Sequence, residues 1–164
     1  MTARVVFACL LLLPAVSAAQ KQREIFRIER SKNANVVKYD ARITKDGALD
    51  PKNPVVGYFQ RADGSTFAIT AFEFKFFYGH KVKLDQSGKF WHFTIAAAKD
   101  RSMKLYLVDG HPKAEGRIAG VQAFVTKFYV KFKKDTIVPG VEWVDLYGTE
   151  LGSGRAVHER VVPK

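Results

Sequence analysis

Apolar and polar residues alternate with a period of two through most of this 164-residue chain. Successive side chains of an extended strand point to opposite faces, so this period predicts strands with one face buried. The apolar residues of the first clear example are Val37, Tyr39, Ala41 and Ile43. The polar residues between them are Lys38, Asp40 and Arg42. The sequence therefore favours strands as its main elements.

A later segment repeats the pattern with aromatic residues on one side. Its apolar side carries Phe124, Phe128, Val130 and Phe132. Its other side carries Lys127, Tyr129, Lys131 and Lys133. We expect this strand to be half core and half solvent-exposed.

Turn-forming dipeptides separate the alternating segments, and they supply the positive or preset φ angles of tight turns. Examples are Asp46-Gly47, Asp63-Gly64, Ser87-Gly88, Asp109-Gly110 and Pro139-Gly140. Strands joined by short turns pair antiparallel, because parallel neighbours need long crossover connections. The expected fold is all-β: an antiparallel β-sandwich or small β-barrel of about seven to nine strands. Sandwich and barrel stay open as alternatives, because closure depends on register and shear.

The aromatic segment at residues 70–79 departs from the strand pattern. Thr70 and Glu73 form a capping-box pair, and Gly79 lies where a helix would end. The i, i+4 aromatic pairs would be Phe72 with Phe76 and Phe74 with Tyr78. We expect a short helix packed across an open end or face of the sheet. Its aromatic side chains would plug the core or, alternatively, form a platform on which a ligand stacks.

The first 19 residues have the pattern of a secretory signal peptide. Arg4 supplies a positive charge, an apolar run covers residues 5–16, and Ser17-Ala18-Ala19 resembles a cleavage site. The run is shorter than the roughly 20 residues of a membrane-spanning helix, so we expect cleavage rather than anchoring. Residues 20–164 would then form a single β-rich domain in a periplasmic or extracellular location, since their number suits one hydrophobic core.

Cleavage would remove the only cysteine, Cys9, and would lower the formal net charge from +11 to +10 by removing Arg4. A cysteine-free chain in an oxidising compartment cannot form disulfides. The expected domain is therefore basic and depends on packing for its stability.

The sequence carries no nucleophile elbow, P-loop, zinc-protease helix or paired-cysteine metal motif. Asp109 and His111 flank a predicted turn, but a third metal ligand is lacking. His158 and Glu159 are neighbours in a predicted strand, so their side chains point to opposite faces. We expect no metal, no cofactor and no catalytic residue, and we favour a role other than that of an enzyme.

The most distinctive polar stretch joins one predicted strand ending near Arg30 to another starting near Val36. Ser and Asn suit the hairpin loop between them, because they bond their own backbone and tolerate left-handed geometry. The motifs are IERSKNANVVKYDA at residues 28–41, Asp46-Gly47 with Leu49-Asp50, Asn53-Pro54-Val55, and Tyr78-Gly79. With them the chain resembles a bacterial family, the domain of unknown function 4833. The resemblance implies an exported bacterial protein with one β-rich domain, and it implies no activity.

Functional groups often lie on loops, so this polar stretch is a candidate ligand-binding site. The candidate residues are Glu29, Arg30, Ser31, Lys32, Asn33, Asn35 and Asp40, together with Tyr78 of the aromatic segment. One alternative is a charged hairpin locked by local hydrogen bonds. Another is general acid–base chemistry at Glu29 or Asp40, which needs a partner group within hydrogen-bond reach.

A basic surface is the second candidate. Its residues are Lys81, Lys83, Lys127, Lys131, Lys133 and Lys134. Interleaved lysines and aromatic residues can bind nucleic acid, but export favours anionic envelope components such as phospholipid head groups as partners. The structural alternative is a solvated face that protects strand edges.

We therefore expect a monomeric, non-catalytic binding domain for a small apolar or anionic envelope ligand. The alternatives are an enzyme acting on an envelope polymer and a structural or assembly protein of the cell envelope.

Overall fold

The computed structural model describes residues 21–133 and 140–163, which fold mainly into strands. The strands are β1 (Lys21–Arg30), β2 (Val36–Ile43), β3 (Val55–Gln60), β4 (Thr66–Ala68), β5 (His80–Leu84), β6 (Trp91–Ile95), β7 (Ala98–Val108), β8 (His111–Ile118), β9 (Val121–Phe132), β10 (Val141–Glu150) and β11 (Ala156–Val161). One helical segment lies between β4 and β5. It begins as an α-helical turn, α1 (Ala71–Glu73), and continues as a π-helix (Phe74–Tyr78). The expected all-β fold with one short helix is confirmed.

Three predictions fall wholly or partly outside these ranges: the signal peptide at residues 1–19, Lys134 of the basic surface, and the turn at Pro139-Gly140. Within the described ranges, no helix combines the length and the apolar character needed to cross a membrane.

Nine strands form one curled sheet that makes a half-barrel, in the order β4-β3-β2-β1-β9-β8-β7-β6-β5. β9 has two neighbours along one edge: it pairs with β8 through residues 121–125 and with β1 through residues 127–130. Its other edge pairs with β10, which also pairs with β11. β9 therefore joins the β1–β4 half of the sheet to the β5–β8 half.

The pairing of β1 with β9 is parallel, whereas the other ladders of the described residues are antiparallel. The expectation of purely antiparallel pairing is wrong for this one pair. Parallel neighbours need a long connection, and here that connection consists of the seven strands β2–β8. Turn dipeptides could not reveal it, because they report only on strands that are adjacent in sequence.

The core lies between the two halves of the sheet. The Phe26 ring centroid lies 4.9 Å from that of Tyr39, 5.5 Å from that of Phe93 and 5.4 Å from that of Phe128. All four side chains are buried, and so is the rest of the predicted inner face of β2. Truncating a buried phenylalanine to alanine typically costs about 3–5 kcal/mol, so each phenylalanine of this cluster should contribute substantially to stability.

A β-bulge in β9 reverses part of the predicted face pattern. The ladder with β10 skips Thr126, which lies between Val125 and Lys127. Val125 and Phe128 are consequently both buried, whereas Phe124 turns to the outer face. The prediction that Phe124 shares a face with Phe128 is wrong, because a bulge shifts the alternation of side chains by one residue.

The short helix predicted for residues 70–79 is confirmed, with its capping box. The Thr70 hydroxyl accepts from the Glu73 amide at 3.3 Å, and the Glu73 carboxylate accepts from the Thr70 amide at 3.3 Å. The helix ends at Gly79, whose backbone is extended rather than left-handed. Glycine is required there for space, because a Cβ atom would lie 1.8 Å from the Phe74 carbonyl oxygen.

Candidate binding site

The hairpin loop predicted between β1 and β2 is confirmed, and hydrogen bonds tie it to β9. The Ser31 amide donates to the Val130 carbonyl at 3.0 Å, and the Ser31 hydroxyl accepts from the Phe132 amide at 3.0 Å. Within the loop, Asn33 Oδ1 accepts from the Asn35 amide at 3.2 Å. These contacts hold the end of β1 beside the end of β9.

Arg30 is the last residue of β1, and its side chain packs on aromatic surface. The guanidinium carbon lies 4.8 Å from the ring centroid of Phe59 and 5.5 Å from that of Tyr78. Nη1 donates to the Tyr78 hydroxyl at 3.3 Å, and Nη2 donates to Asn33 Oδ1 at 3.2 Å. Both acceptors are neutral, and Nε is buried without a hydrogen-bond partner. Among the described residues, the positive charge of Arg30 therefore has no ion-pair partner.

A cavity of about 460 Å³ lies beside Arg30, between the hairpin, the helical segment and the end of β9. We call it the hairpin–helix cavity. Its polar lining comes from Arg30, Lys32, Asn33 and the capping-box pair Thr70 and Glu73. Its aromatic lining residues are Phe72, Phe77, Tyr78 and Phe132. The cavity thus combines a charged end with extensive apolar surface.

The charges of the cavity are mainly positive. Lys32 Nζ lies 5.5 Å from the ring centroid of Phe132, which brings a second cation near Arg30 and the aromatic wall. The one carboxylate in the lining belongs to Glu73, and it accepts from the Thr70 hydroxyl at 2.7 Å as part of the helix cap. An anionic group on a ligand would therefore meet two cations and several unused N–H donors.

Four of the eight predicted site residues come together in this cavity: Arg30, Lys32, Asn33 and Tyr78. Ser31 and Asn35 shape the loop, as the interpretation of a locked hairpin expected. The two acids lie elsewhere.

Glu29 belongs to a row of ion pairs, and as the strand neighbour of Arg30 it points to the opposite face. Its carboxylate lies 2.9 Å from Arg27 Nε and 3.2 Å from Lys127 Nζ. Burial raises the pKa of Glu29, but the hydrogen bonds from these two cations outweigh it and leave the pKa below its ordinary value. Glu29 is therefore an ionised structural partner of Lys127.

Asp40 is a buried acid on β2, with 7% of its surface exposed. Oδ2 accepts from the Tyr58 hydroxyl at 2.8 Å, while Oδ1 is buried with no hydrogen-bond partner. Burial raises the pKa of Asp40 above its ordinary value, although the Tyr58 hydrogen bond lowers it in part. Asp40 does not line the hairpin–helix cavity.

Sequence reasoning missed a second buried acid, Asp145 on β10, which is 3% exposed. Its carboxylate accepts from Arg160 Nε at 2.7 Å and Nη2 at 2.8 Å, and His158 Nε2 lies 3.0 Å from Oδ1. The hydrogen bonds from Arg160 hold the pKa of Asp145 at about 2, against the opposing effect of burial. The Arg160 guanidinium also lies 4.5 Å from the Trp143 ring centroid. This cluster locks β10 to β11.

The predicted basic residues that the structure describes come from two separate strands, as their sequence positions indicate. Lys81 and Lys83 lie on β5, whereas Lys127 and Lys131 lie on β9, and three strands separate β5 from β9 in the sheet order. Lys133 directly follows β9 and is exposed. Lys81 lines a second cavity, described below.

The histidines considered as metal ligands are dispersed. His111 is exposed beside the β7–β8 turn. His158 faces Asp145, whereas Glu159 forms an ion pair of 2.7 Å with Arg101 on the other face, as predicted for strand neighbours. In the part of the chain that the structure describes, no group of three or more His, Cys, Asp and Glu side chains could hold a metal ion.

Sequence reasoning missed Phe59 beneath Arg30 and placed Phe132 only in a core face. Phe59 comes from β3 and Phe132 from the end of β9, and neither strand belongs to the hairpin. Their place in the site depends on the β2–β3 register and on the parallel β1–β9 pairing.

Fold and site together define a class: a curled β-domain whose hairpin and capped helix border an open, basic and aromatic cavity. The chain matches the family model described as "Domain of unknown function (DUF4833)" over residues 26–160. It therefore belongs to that family, in agreement with the resemblance seen in the sequence. No curated protein and no solved structure shows a significant match to the chain.

Proposed function

We propose that this protein is a non-catalytic binding domain for a small ligand that carries an anionic group on an apolar body. The observation that carries this proposal is the state of Arg30. Its guanidinium lies against two aromatic rings and has only neutral hydrogen-bond partners. Buried or half-buried charges are normally paired, so an anion at this position would complete the site.

The size and lining of the cavity support the proposal that the ligand has an apolar body. A volume of about 460 Å³ falls within the range of small-molecule sites, which are mostly apolar with a few placed polar groups. Phe72, Phe77 and Phe132 supply the apolar wall on which such a body would pack.

We also propose that the protein is exported from a bacterial cell and meets its ligand in the envelope. This part rests on the signal-like pattern of residues 1–19 and on the basic, cysteine-free remainder. Amphiphilic anions are abundant where a membrane meets an aqueous compartment.

The enzymatic alternative has less support. It requires ionisable groups that converge near Glu29, Asp40 or His111. Glu29 is held by two cations, Asp40 by the Tyr58 hydroxyl, and His111 is exposed beside a turn.

The test is calorimetric titration with three probes: decyl phosphate, decanol and inorganic phosphate. We expect decyl phosphate to bind more tightly than either of the others, because only it uses both the charge and the aromatic wall. Replacing Arg30 by methionine should weaken decyl phosphate binding by about tenfold or more, since a hydrogen bond to a charged group contributes about 1.5–3 kcal/mol. Binding of decanol should change little.

Arg61→Met is the matched control. The Arg61 guanidinium lies 4.9 Å from the Phe67 ring centroid, a similar cation–π contact, but Arg61 is exposed and does not line the cavity. An equal loss of decyl phosphate affinity in Arg30→Met and Arg61→Met would refute the proposal. Equal binding of decyl phosphate and decanol to the unmodified protein would also refute it.

A further inference from the structure

Three exposed phenylalanines lie within five residues of one another on the helical segment. Phe72 is 64% exposed, Phe74 44% and Phe76 50%. Elsewhere in the described ranges, only two large hydrophobic side chains, Leu84 and Val162, are comparably exposed. Clustering of this kind on a short segment marks an interaction surface rather than the scattered exposure of ordinary surfaces. We call these three side chains the phenylalanine ridge.

The ridge is held rigidly by the fold. The capping box fixes its start, and the Ala96 and Ala97 amides donate to the Gly79 and Phe77 carbonyls at 2.7 and 3.1 Å. Within the ridge, the ring centroids of Phe72 and Phe76 are 5.0 Å apart. Exposure of these rings is therefore a built feature of the segment and not the fraying of a chain end.

Lysines flank the ridge. A cavity of about 590 Å³ beside Phe74 is lined by Lys75, Lys81 and Lys99, and no acidic residue of the described chain lines it. Lys75 Nζ also lies 5.2 Å from the Phe76 ring centroid. The surface thus presents aromatic rings and positive charges side by side.

We propose that the phenylalanine ridge docks the protein on an anionic lipid bilayer. The rings would enter the boundary between head groups and acyl chains, and the three lysines would meet lipid phosphates. Charge complementarity favours this occupant. A second copy of the chain would bring like charges together across the same surface. Phe72 also lines the hairpin–helix cavity, whereas Phe74 and Phe76 do not, so substitutions of Phe74 and Phe76 test docking without altering the ligand cavity.

The test is cosedimentation of the protein with vesicles of equimolar phosphatidylcholine and phosphatidylglycerol, and with vesicles of phosphatidylcholine alone. We expect binding to the anionic vesicles that weakens with salt, and little binding to the neutral ones. Phe74→Ser/Phe76→Ser should reduce partitioning at least about tenfold, as expected when two rings leave the interface. Lys75→Glu/Lys99→Glu should reduce it by about fivefold or more for each lysine.

Val162→Ser is the control, because it removes an apolar side chain that is 66% exposed and lies outside the helical segment. Phe76→Ser alone provides a milder variant if the double substitution unfolds, and thermal melts establish which variants are folded. Both folded ridge variants should still bind decyl phosphate like the unmodified protein, so that loss of docking and loss of the ligand site are separable.

Three results would overturn the proposal. The first is no binding to anionic vesicles, including the case in which the protein self-associates instead. The second is full binding by a folded ridge variant, which would indicate adsorption by charge alone. The third is an equal loss in Val162→Ser.

Discussion

The two buried acids, Asp40 and Asp145, should respond in opposite ways to the same substitution. Asp145 is held ionised by Arg160 and His158, with a pKa of about 2 against an ordinary 3.8. At about 1.4 kcal/mol for each tenfold change in proton affinity, that difference corresponds to about 2.4 kcal/mol. Both partner side chains are about half exposed, and solvent screening reduces the expected contribution to about 1–2 kcal/mol.

The sign of the pH dependence follows from the direction of each pKa. The pKa of Asp145 is lower in the folded state, so its stabilisation is present above pH 3.8 and is lost as the pH falls toward 2. The pKa of Asp40 is higher in the folded state, because burial disfavours its charge. Its stabilisation is therefore present below pH 3.8 and is lost as the pH rises through its folded-state pKa.

The assay is urea unfolding of Asp145→Asn and Asp40→Asn at neutral pH and at about pH 3. Asp145→Asn should lower the free energy of unfolding by about 1–2 kcal/mol at neutral pH, with a smaller loss in acid. At neutral pH, the free energy of unfolding of Asp40→Asn should equal or exceed that of the unmodified protein. In acid, the variant should lose this relative advantage. The same change in both variants at both pH values would refute the reasoning, because it would mean that the environments of the two acids do not differ.

Two further substitutions test the helical segment. Gly79→Ala should lower the melting temperature far more than Gly47→Ala. A Cβ at residue 79 would lie 1.8 Å from the Phe74 carbonyl oxygen, whereas Gly47 has a positive φ but open space around it. Comparable melting temperatures of the two variants would contradict this prediction. Thr70→Ala removes the cap that holds Glu73 and should cost about 1 kcal/mol in urea unfolding; an unchanged midpoint would show that tertiary contacts alone hold the helix.

Much of the fold could be predicted because it depends on local patterns. The inner face of β2, the hairpin between β1 and β2, and the capping box at Thr70 and Glu73 each follow from a few adjacent residues. The parallel β1–β9 pairing and the bulge at Thr126 could not be predicted. Both depend on strand register between distant segments, which a period of two does not specify.

The candidate site divides in the same way. The polar hairpin pointed to Arg30, Lys32 and Asn33, and the aromatic segment pointed to Tyr78. Strand alternation could have separated Glu29 from Arg30, since neighbours in a strand point to opposite faces. The contribution of Phe132 required the three-dimensional arrangement of β1 and β9, and so did the absence of an anionic partner for Arg30 among the described residues.

The central claim is that the hairpin–helix cavity binds an anionic amphiphile through Arg30. The location of such a ligand in a crystal structure tests this claim most directly. A crystal structure with decyl phosphate should show the phosphate within hydrogen-bond distance of the Arg30 guanidinium and the alkyl chain against Phe72 and Phe132. A phosphate bound instead at Lys127 or Lys131, with the hairpin–helix cavity free of the probe, would contradict the account.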